Sequence, residues 1–169
     1  MDNVTLRNIE ANDCQAISDA FARQGWNKPV HQYEKYVALQ TKGYRDVIIA
    51  ECHATFAGYV TIAWTSDYPN FQQTGIPEIV DLNVLKQFQR NGIGTQLLDE
   101  AERRIQQRSQ WVGIGFGLTQ DYGAAQRLYI KRGYVPDGHG LMKNSQAVAH
   151  GQQVEVDDGL VIYLLKELS

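Results

Sequence analysis

The sequence predicts one mixed α/β domain, and three observations carry this prediction. The chain has 169 residues, a length typical of a single domain. Segments with strand-like alternation and segments with helix-like periodicity follow one another along the chain. The predicted order is β-α-α-β-β-β-α-β-α-β-β, in which helices lie between the strands of a sheet, and this order indicates the α/β or α+β class.

Periodicity and turn residues divide the chain into these elements. The two-residue connection His53-Ala54 indicates a hairpin. Residues 65–75 are predicted to form a polar loop, and Val154 and Val156 are expected in one arm of a later hairpin. The predicted strands cover residues 4–9, 45–52, 55–64, 76–85, 111–119, 134–136 and 159–168. The predicted helices cover residues 11–26 (capped by Asn12 or Asp13), 31–43, 92–108 and 121–133.

Composition and charge narrow the class of protein. The formal net charge of -3 argues against a general binder of nucleic acid or of anionic membranes. Cys14 and Cys52 are expected to be buried free thiols, and no Cys/His cluster predicts a metal site. The first ten residues lack a signal-peptide pattern and no apolar run reaches the roughly 18 residues of a membrane span. A cytoplasmic protein without a metal, nucleic-acid or membrane partner is therefore expected.

A glycine turn opens the longest predicted helix, in the stretch "QRNGIG". Gly92 and Gly94 let backbone N–H groups approach an anion closely. The start of the helix adds unpaired N–H groups and the positive end of the helix dipole. These features predict an anion-binding turn, although a plain strand–turn–helix connection would also use glycine.

Two nucleotide-binding motifs fit this turn poorly. The dinucleotide fingerprint needs a third glycine where this chain has Leu97. A Walker A loop needs Gly-Lys-Ser/Thr, which is absent from the sequence.

The wider sequence resembles the GNAT superfamily of acyl-CoA-dependent N-acyltransferases. Residues Gln89 to Gly94 match the pattern [RQ]-x-x-G-x-[GA], and the apolar strand "EIVDLNVL" precedes them. Further on, "AAQRLYIKRGYVPDG" is similar to a second family motif, A-x-x-L-Y-x-x-x-G-[FY]. The positions that fill this second motif are Ala125, Leu128, Tyr129, Gly133 and Tyr134.

The resemblance implies the fold and the reaction. The expected fold is a mixed, mostly antiparallel sheet of six to seven strands, flanked by about four helices, with a splay between the two central strands. One such domain would span residues 1–169. The implied activity is N-acetyl transfer from acetyl-CoA, the co-substrate, to a primary amine by direct attack in a ternary complex. A non-catalytic acyl-CoA-binding module is the alternative, and a homodimer is plausible for this family.

The resemblance also implies which residues bind acetyl-CoA. The strand backbone at Leu82, Asn83 and Val84 should pair with the pantetheine arm. At the position of Tyr122 the family often has Asn, so a contact from the side chain of residue 122 to the pantetheine is in doubt. The pyrophosphate would be bound by Gln89, Arg90, Asn91, Gly92, Ile93, Gly94 and Thr95, and Tyr122 and Ala125 would lie beside the cofactor.

Two side chains are implied as catalytic. Tyr129 occupies the motif position whose tyrosine reaches the CoA sulfur, so it is the candidate acid; packing on a helix face is the other interpretation. Glu78 lies eleven residues before Gln89, where one branch of the family carries its general base. Asp81 is the alternative base and lies on the opposite face of the strand unless a bulge changes the register.

The sequence gives only a broad set of candidates for the residues that bind the amine acceptor. An aromatic and acidic pocket would suit a cationic amine, but each contributing side chain could equally serve packing or lie in solvent. The glycines of the strand at 111–119 either allow close packing or leave room for a ligand. The candidate acceptor residues are Trp26, His31, Tyr33, Tyr36, Asp67, Tyr68 and Asp81, with His139 and His150 in a late loop.

Overall fold

The computed structural model describes residues 3–169, and its elements follow the predicted order with two additions, α3 and β7. The strands are β1 (Val4–Asn8), β2 (Arg45–Cys52), β3 (Thr55–Ala63), β4 (Glu78–Val84), β5 (Trp111–Gly117), β6 (Val135–Lys143), β7 (Gln146–Ala147) and β8 (Leu160–Glu167). The helices are α1 (Asp13–Arg23), α2 (Val30–Thr41), α3 (Pro69–Thr74), α4 (Ile93–Gln106) and α5 (Gly123–Lys131). Eight strands and five α helices in residues 3–169 exceed the predicted six to seven strands and four helices, but the mixed α/β class is confirmed.

The short helix α3 corrects the prediction of a polar loop at residues 65–75. Pro69 stands in its first turn, where a missing N–H costs nothing, and Gly75 ends it in the left-handed conformation (φ 68°). Tyr68 and Phe71 are both 1% exposed. The segment is therefore anchored by two aromatic side chains, although most of its residues are polar.

The late segment also differs from its prediction. Val154 and Val156 lie outside every described strand, so the expected hairpin arm is wrong. Val156 is 62% exposed, and no strand partner buries it. Instead, Lys143 holds the segment through the Glu155 carbonyl (2.8 Å) and the Asp157 carboxylate.

The described chain forms two compact units. The first contains residues 3–64 and Ile79–Arg104, and the second contains Thr65–Glu78 and Ile105–Ser169. The sequence-based prediction of a single domain, and that of splayed central strands, stay predictions. None of the helices within residues 3–169 combines the length and apolar character that crossing a bilayer requires.

In the first unit the strand order is β1-β2-β3-β4. β1 pairs with β2, and β2 with β3, both antiparallel. His53 and Ala54 form the two-residue hairpin turn with φ values of 50° and 61°, which confirms the predicted hairpin. The core packs Phe21 of α1 and Tyr33 of α2 against Tyr59 of β3, each 0% exposed.

The second unit has the strand order β5-β8-β6-β7, with each neighbouring pair antiparallel. Its core is aromatic. The rings of Tyr68 and Tyr163 are stacked at a centroid distance of 3.7 Å, and Phe71 meets Tyr163 edge-on at 5.5 Å. Thus α3, absent from the prediction, supplies much of the core of this unit.

Helix α4 confirms its predicted apolar face. Its inward positions are Ile93, Leu97, Leu98, Ala101 and Ile105, all at most 1% exposed. Arg104 ties the helix to β2 and β1 by donating to Asp46 Oδ2 (2.9 Å) and Asn8 Oδ1 (2.7 Å). The buried free thiols Cys14 and Cys52 are also as predicted.

One glycine of the first unit permits a close approach between two backbones. A Cβ added to Gly58 of β3 would lie 2.5 Å from the carbonyl oxygen of Asn83 and 3.0 Å from Cα of Val84. Contacts this short require one strand to move. Gly58 therefore fixes how closely β3 and β4 can lie.

We predict that Gly58→Ala lowers the free energy of unfolding by about 2 kcal/mol or more, because the new methyl group collides with backbone. Gly123→Ala is the matched control. Gly123 begins α5 with helical angles, and an added Cβ meets nothing within 4 Å, so this change should be neutral or stabilising by about 0.5 kcal/mol. Urea unfolding of both variants measures the difference. Equal stability of the two would contradict the close-approach argument.

Candidate active site

The turn before α4 has the geometry of an anion-binding loop. Arg90 and Gly92 have positive φ values of 66° and 77°, so the chain reverses sharply before the helix begins at Ile93. The side chain of Gln89 donates to the carbonyl of Val84 (3.1 Å) and ties the turn to the end of β4. The first-turn N–H groups of α4 lack intrahelical acceptors and point toward the turn.

The space above this turn is open. A Cβ added to Gly92 would meet nothing within 4 Å, and one added to Gly94 would meet only Cγ2 of Val84, at 3.9 Å. Packing within the protein therefore does not require glycine at position 94. An open space beside unpaired N–H groups fits a pyrophosphate, with Ile93 contributing its backbone because its side chain is 1% exposed.

Strand β4 bends at Asp81, which has a left-handed backbone with φ 62°. The bend breaks the regular pleat that the sequence suggested and brings Asp81 and Asn83 to the same partner, Tyr59. Asp81 Oδ2 accepts hydrogen bonds from Tyr59 Oη (2.6 Å), Tyr36 Oη (2.9 Å) and Gln32 Nε2 (3.3 Å), and Oδ1 accepts one from Asn83 Nδ2 (2.6 Å). We call these five residues the Asp81 network.

The groups that donate to Asp81 in this network stay neutral. Burial, followed by the charge of Asp81, raises the pKa of Tyr59 and Tyr36 far above that of a free tyrosine. Both hydroxyl groups therefore remain donors to the carboxylate at any physiological pH. The four donors occupy both oxygens of the Asp81 carboxylate and leave few acceptor positions for another group.

Glu78 lies in the second unit at the start of β4 and is held by a buried hydroxyl. Ser66 Oγ donates to Glu78 Oε1 (2.5 Å) and accepts from the backbone N–H of Tyr68 (3.0 Å). Ser66 is 1% exposed. Because the Tyr68 N–H occupies the acceptor side of Ser66, the serine proton is directed to Glu78, which orients that carboxylate.

Tyr129 lies on α5 and is 6% exposed. Its ring centroid is 6.1 Å from that of Tyr134, and its carbonyl accepts from the Tyr134 N–H (3.1 Å) as the helix ends. The motif spacing thus places two aromatic rings side by side at the C-terminal end of α5. Limited exposure is suited to a tyrosine that reaches one atom of a bound molecule.

The glycines of β5 serve packing. A Cβ on Gly113 would lie 2.2 Å from the ring of Phe71, and one on Gly117 would lie 2.4 Å from the ring of Tyr122. Gly115 is covered in the same way by Val161, at 2.7 Å. Of the two interpretations of these glycines, the structure supports close packing.

Tyr122, expected beside the cofactor, covers Gly117 with its ring and donates from its hydroxyl to Asp158 Oδ1 (2.6 Å). Ala125 lies one turn further along the chain in α5 and is half-buried. Packing and a carboxylate partner therefore account for the orientation of Tyr122.

The predicted acceptor residues of the first unit divide into three kinds. Tyr33 is 0% exposed and its hydroxyl lies 3.3 Å from that of Tyr59, so it is a core residue with no surface to offer a ligand. Tyr36 belongs to the Asp81 network. Trp26 is 37% exposed and stacks on Phe21 with 6° between the ring planes, and His31 is exposed.

The predicted acceptor residues of the second unit divide similarly. Tyr68 is buried and donates to Asp137 Oδ2 (2.7 Å); burial raises its pKa to about 12. Asp67, His139 and His150 are exposed. Asp67 directly follows Ser66, whose hydroxyl contacts Glu78.

Sequence reasoning did not find three of the residues that build these sites. Ser66, Tyr59 and Gln32 belong to no motif, and each acts through a contact distant in sequence, such as the 49 positions between Gln32 and Asp81. Only the Ser66–Tyr68 contact has a local signal, because a serine two residues before a backbone N–H commonly accepts from it. Within residues 3–169, no three His, Cys, Asp or Glu side chains are grouped to hold a metal ion.

Comparison with known families identifies the family to which the chain belongs. The family model described as "Acetyltransferase (GNAT) domain" matches residues 43–136, more than half of the chain. The fold and this match define the class as an acyltransferase. The chain belongs to the GNAT family of acetyltransferases. No curated protein sequence matches it.

Solved structures of this family share the fold at low sequence identity. An N-acetyltransferase from Staphylococcus aureus Mu50 is 15% identical with a TM-score of 0.73, over 99% of both chains. The Salmonella typhimurium protein yncA, solved with its cofactor acetyl-CoA, is 19% identical with a TM-score of 0.68, over 98% of this chain and 94% of that one. A Salmonella typhimurium acetyl transferase that modifies the N-terminal serine of ribosomal protein L7/L12 is 14% identical with a TM-score of 0.71, over 98% of this chain and 95% of that one.

We predict that Gly94→Ala weakens the binding of acetyl-CoA by about tenfold without destabilising the fold. The added methyl group enters space that the protein leaves open but a pyrophosphate would fill, and alanine favours the helix. Calorimetric titration measures the dissociation constant, and the melting temperature of the free variant is the control. A variant that binds acetyl-CoA as tightly as the wild type would remove position 94 from the binding loop.

Proposed function

We propose that this protein transfers the acetyl group of acetyl-CoA to a primary amine, carried by a small molecule or a peptide, by direct attack in a ternary complex. The open, glycine-lined start of α4 is the observation that carries the proposal, because it offers an anion site that packing does not explain. The family match supports acetyl-CoA as the donor, and the acetyl-CoA complex of yncA is consistent with it.

The turn and the end of β4 would share the binding of acetyl-CoA. The first N–H groups of α4, with Gln89, Arg90 and Asn91 at the turn, would hold the pyrophosphate. The backbone of residues 82–84 would pair with the pantetheine arm. Acetyl-CoA supplies the activated thioester, and these groups fix its position for attack.

The transfer needs a base and an acid. The amine nitrogen forms a bond to the thioester carbonyl carbon, and the bond from that carbon to sulfur breaks. The acceptor ammonium first loses a proton to the Glu78 carboxylate, directly or through a water molecule, which frees the nitrogen lone pair for attack. Tyr129 gives its hydroxyl proton to the leaving thiolate, the second nitrogen proton is lost to water, and exchange with water restores Glu78 and Tyr129. Glu78 is preferred as the base because it lies eleven residues before Gln89, the position implied by the family resemblance, whereas the Asp81 carboxylate already accepts four hydrogen bonds.

The acceptor is proposed to be cationic before it reacts. Glu78 and the exposed Asp67 lie in the same unit, and both charges, with that of Asp137, contribute to raising the pKa of Tyr163 after the effect of burial. Their combined negative potential would attract an ammonium group. Cytoplasmic location remains a prediction from the sequence, and a homodimer remains a prediction of the family resemblance.

Release of free thiol from acetyl-CoA, followed across a panel of amines, aminoglycosides and peptides, tests the activity. Amine-dependent release supports the proposal, whereas binding of acetyl-CoA without release for any amine favours the non-catalytic binding module. Thermal stabilisation by NAD or ATP, with none by acetyl-CoA, would contradict the proposed function altogether.

We predict that Tyr129→Phe folds normally and loses at least about tenfold in kcat, because the thiolate must leave without a proton. Tyr134→Phe is the matched control, since the family motif accepts either aromatic residue there. Steady-state kinetics with a good amine acceptor measure both variants. Unchanged kcat for Tyr129→Phe would refute its role as the acid.

We predict that Glu78→Gln lowers kcat by about a hundredfold and removes the rising limb of the pH–rate profile at low pH. Glutamine can still accept the Ser66 hydrogen bond, so the variant loses basicity while keeping the side-chain geometry. Asp67→Asn is the control and should retain that limb. A Glu78→Gln profile with the limb intact would exclude Glu78 as the base.

A further inference from the structure

The left-handed bend of β4 needs something to hold it. Among the described residues, Asp81 is the only non-glycine residue inside a strand with positive φ, at 62°. A residue with a Cβ disfavours this conformation, although aspartate and asparagine tolerate it better than most. Such a backbone persists when the surroundings impose it.

The Asp81 network provides that restraint from three elements. Tyr36 and Gln32 reach the carboxylate from α2, Tyr59 reaches it from β3, and Asn83 reaches it from the same strand. Donors from different elements can be satisfied together in only one orientation of the side chain. The carboxylate therefore pins the backbone that carries it.

The direction of the hydrogen bonds distinguishes Tyr59, which belongs to the network, from its neighbour Tyr33, which does not. Tyr59 gives its proton to Asp81 at 2.6 Å, so at its 3.3 Å contact with Tyr33 its oxygen accepts. Tyr33 thus contacts Tyr59 and has no hydrogen bond to Asp81. Both tyrosines are 0% exposed, so they are a pair of buried hydroxyl groups of which Tyr59 contacts Asp81 and Asn83 directly and Tyr33 does not.

The backbone on either side of the bend is fixed at defined points. Before it, the Val80 carbonyl accepts from the hydroxyl of Thr61 (2.9 Å). After it, the Leu85 N–H donates to the Ala57 carbonyl (2.8 Å). Residues 82–84 lie between the bend and this second point, so the angle of the bend determines where their N–H and C=O groups point.

We propose that Asp81 is a positioning residue for acetyl-CoA: its hydrogen-bonded carboxylate holds the bend in β4, and the bend presents the backbone of residues 82–84 to the pantetheine arm. The inference rests on the proposed function, because it uses that backbone as the pantetheine contact. Asp81 then acts on the cofactor through the chain and neither as the base nor as a contact to the acceptor. Through Tyr36 and Gln32, α2 also helps to hold the bend.

Calorimetric titration with acetyl-CoA of Tyr59→Phe and Tyr33→Phe tests the proposal. Both changes delete one buried hydroxyl, and the structure has removed Tyr33 from the ligand-facing residues. Loss of the direct donor in Tyr59→Phe should raise the dissociation constant about fivefold, whereas Tyr33→Phe should leave it within about twofold. Equal dissociation constants, whatever the melting temperatures, would show a merely structural role and overturn the proposal.

Substitutions of Asp81 separate the side chain from the backbone. Asp81→Ala should weaken binding about tenfold or more, since alanine neither accepts hydrogen bonds nor favours a left-handed backbone. Asp81→Asn should recover part of that loss, because it keeps one accepting oxygen and tolerates the bend. Wild-type affinity in Asp81→Gly would overturn the role of the carboxylate, because glycine permits the bend without holding it. If the wild-type protein itself does not bind acetyl-CoA, the proposed function fails, and that result is distinct from the others.

Discussion

A partly buried carboxylate must be hydrogen-bonded, and much of the first unit is arranged around this requirement at Asp81. Transfer of an unpaired charge out of water is costly, so its neighbours have to supply donors. Here two tyrosine hydroxyls and two amides do so, from α2, β3 and β4. The aromatic core of the unit therefore has a polar edge, at which Tyr59 joins the apolar cluster to the strand that runs toward the glycine turn.

In the second unit the main constraint is the packing of large aromatic rings onto the sheet. The glycines of β5 provide flat surface, and the rings of Phe71 and Tyr122 occupy the space that side chains would otherwise fill. Close packing of this kind leaves little freedom for rearrangement. A rigid β5 and an oriented Glu78 are compatible with a reaction that depends on holding two reactants at a fixed separation.

Local patterns in the sequence were enough to predict the elements whose partners are close in the chain or repeat regularly. The apolar positions of α4, the His53-Ala54 hairpin and the final strand β8 follow from periodicity and turn chemistry. The glycine turn was predicted from its motif, and the open space at Gly94 is consistent with it.

Features that depend on distant contacts could not be predicted. Helix α3 has a polar composition, and only the burial of Tyr68 and Phe71 in the folded unit stabilises it. The bend at Asp81 does not follow from the strand pattern, because its cause lies 22 and 45 positions away, in Tyr59 and Tyr36. Tyr33 was predicted to contact the acceptor, but it is fully buried and belongs to the core. The sequence alone does not distinguish an aromatic residue that lines a pocket from one that packs in the core.

The position of Trp26 has a practical consequence. Lys86, which begins the 3₁₀ turn leading to the glycine loop, places its ammonium group 5.4 Å from the centroid of the indole ring. Its backbone N–H is held by Gln24, two residues before the tryptophan (3.0 Å). Indole emission responds to a nearby charge, so we expect a displacement of the segment that enters the loop to change the emission of this partly exposed ring. The sequence has three tryptophans, and Trp26 is the one that contacts Lys86.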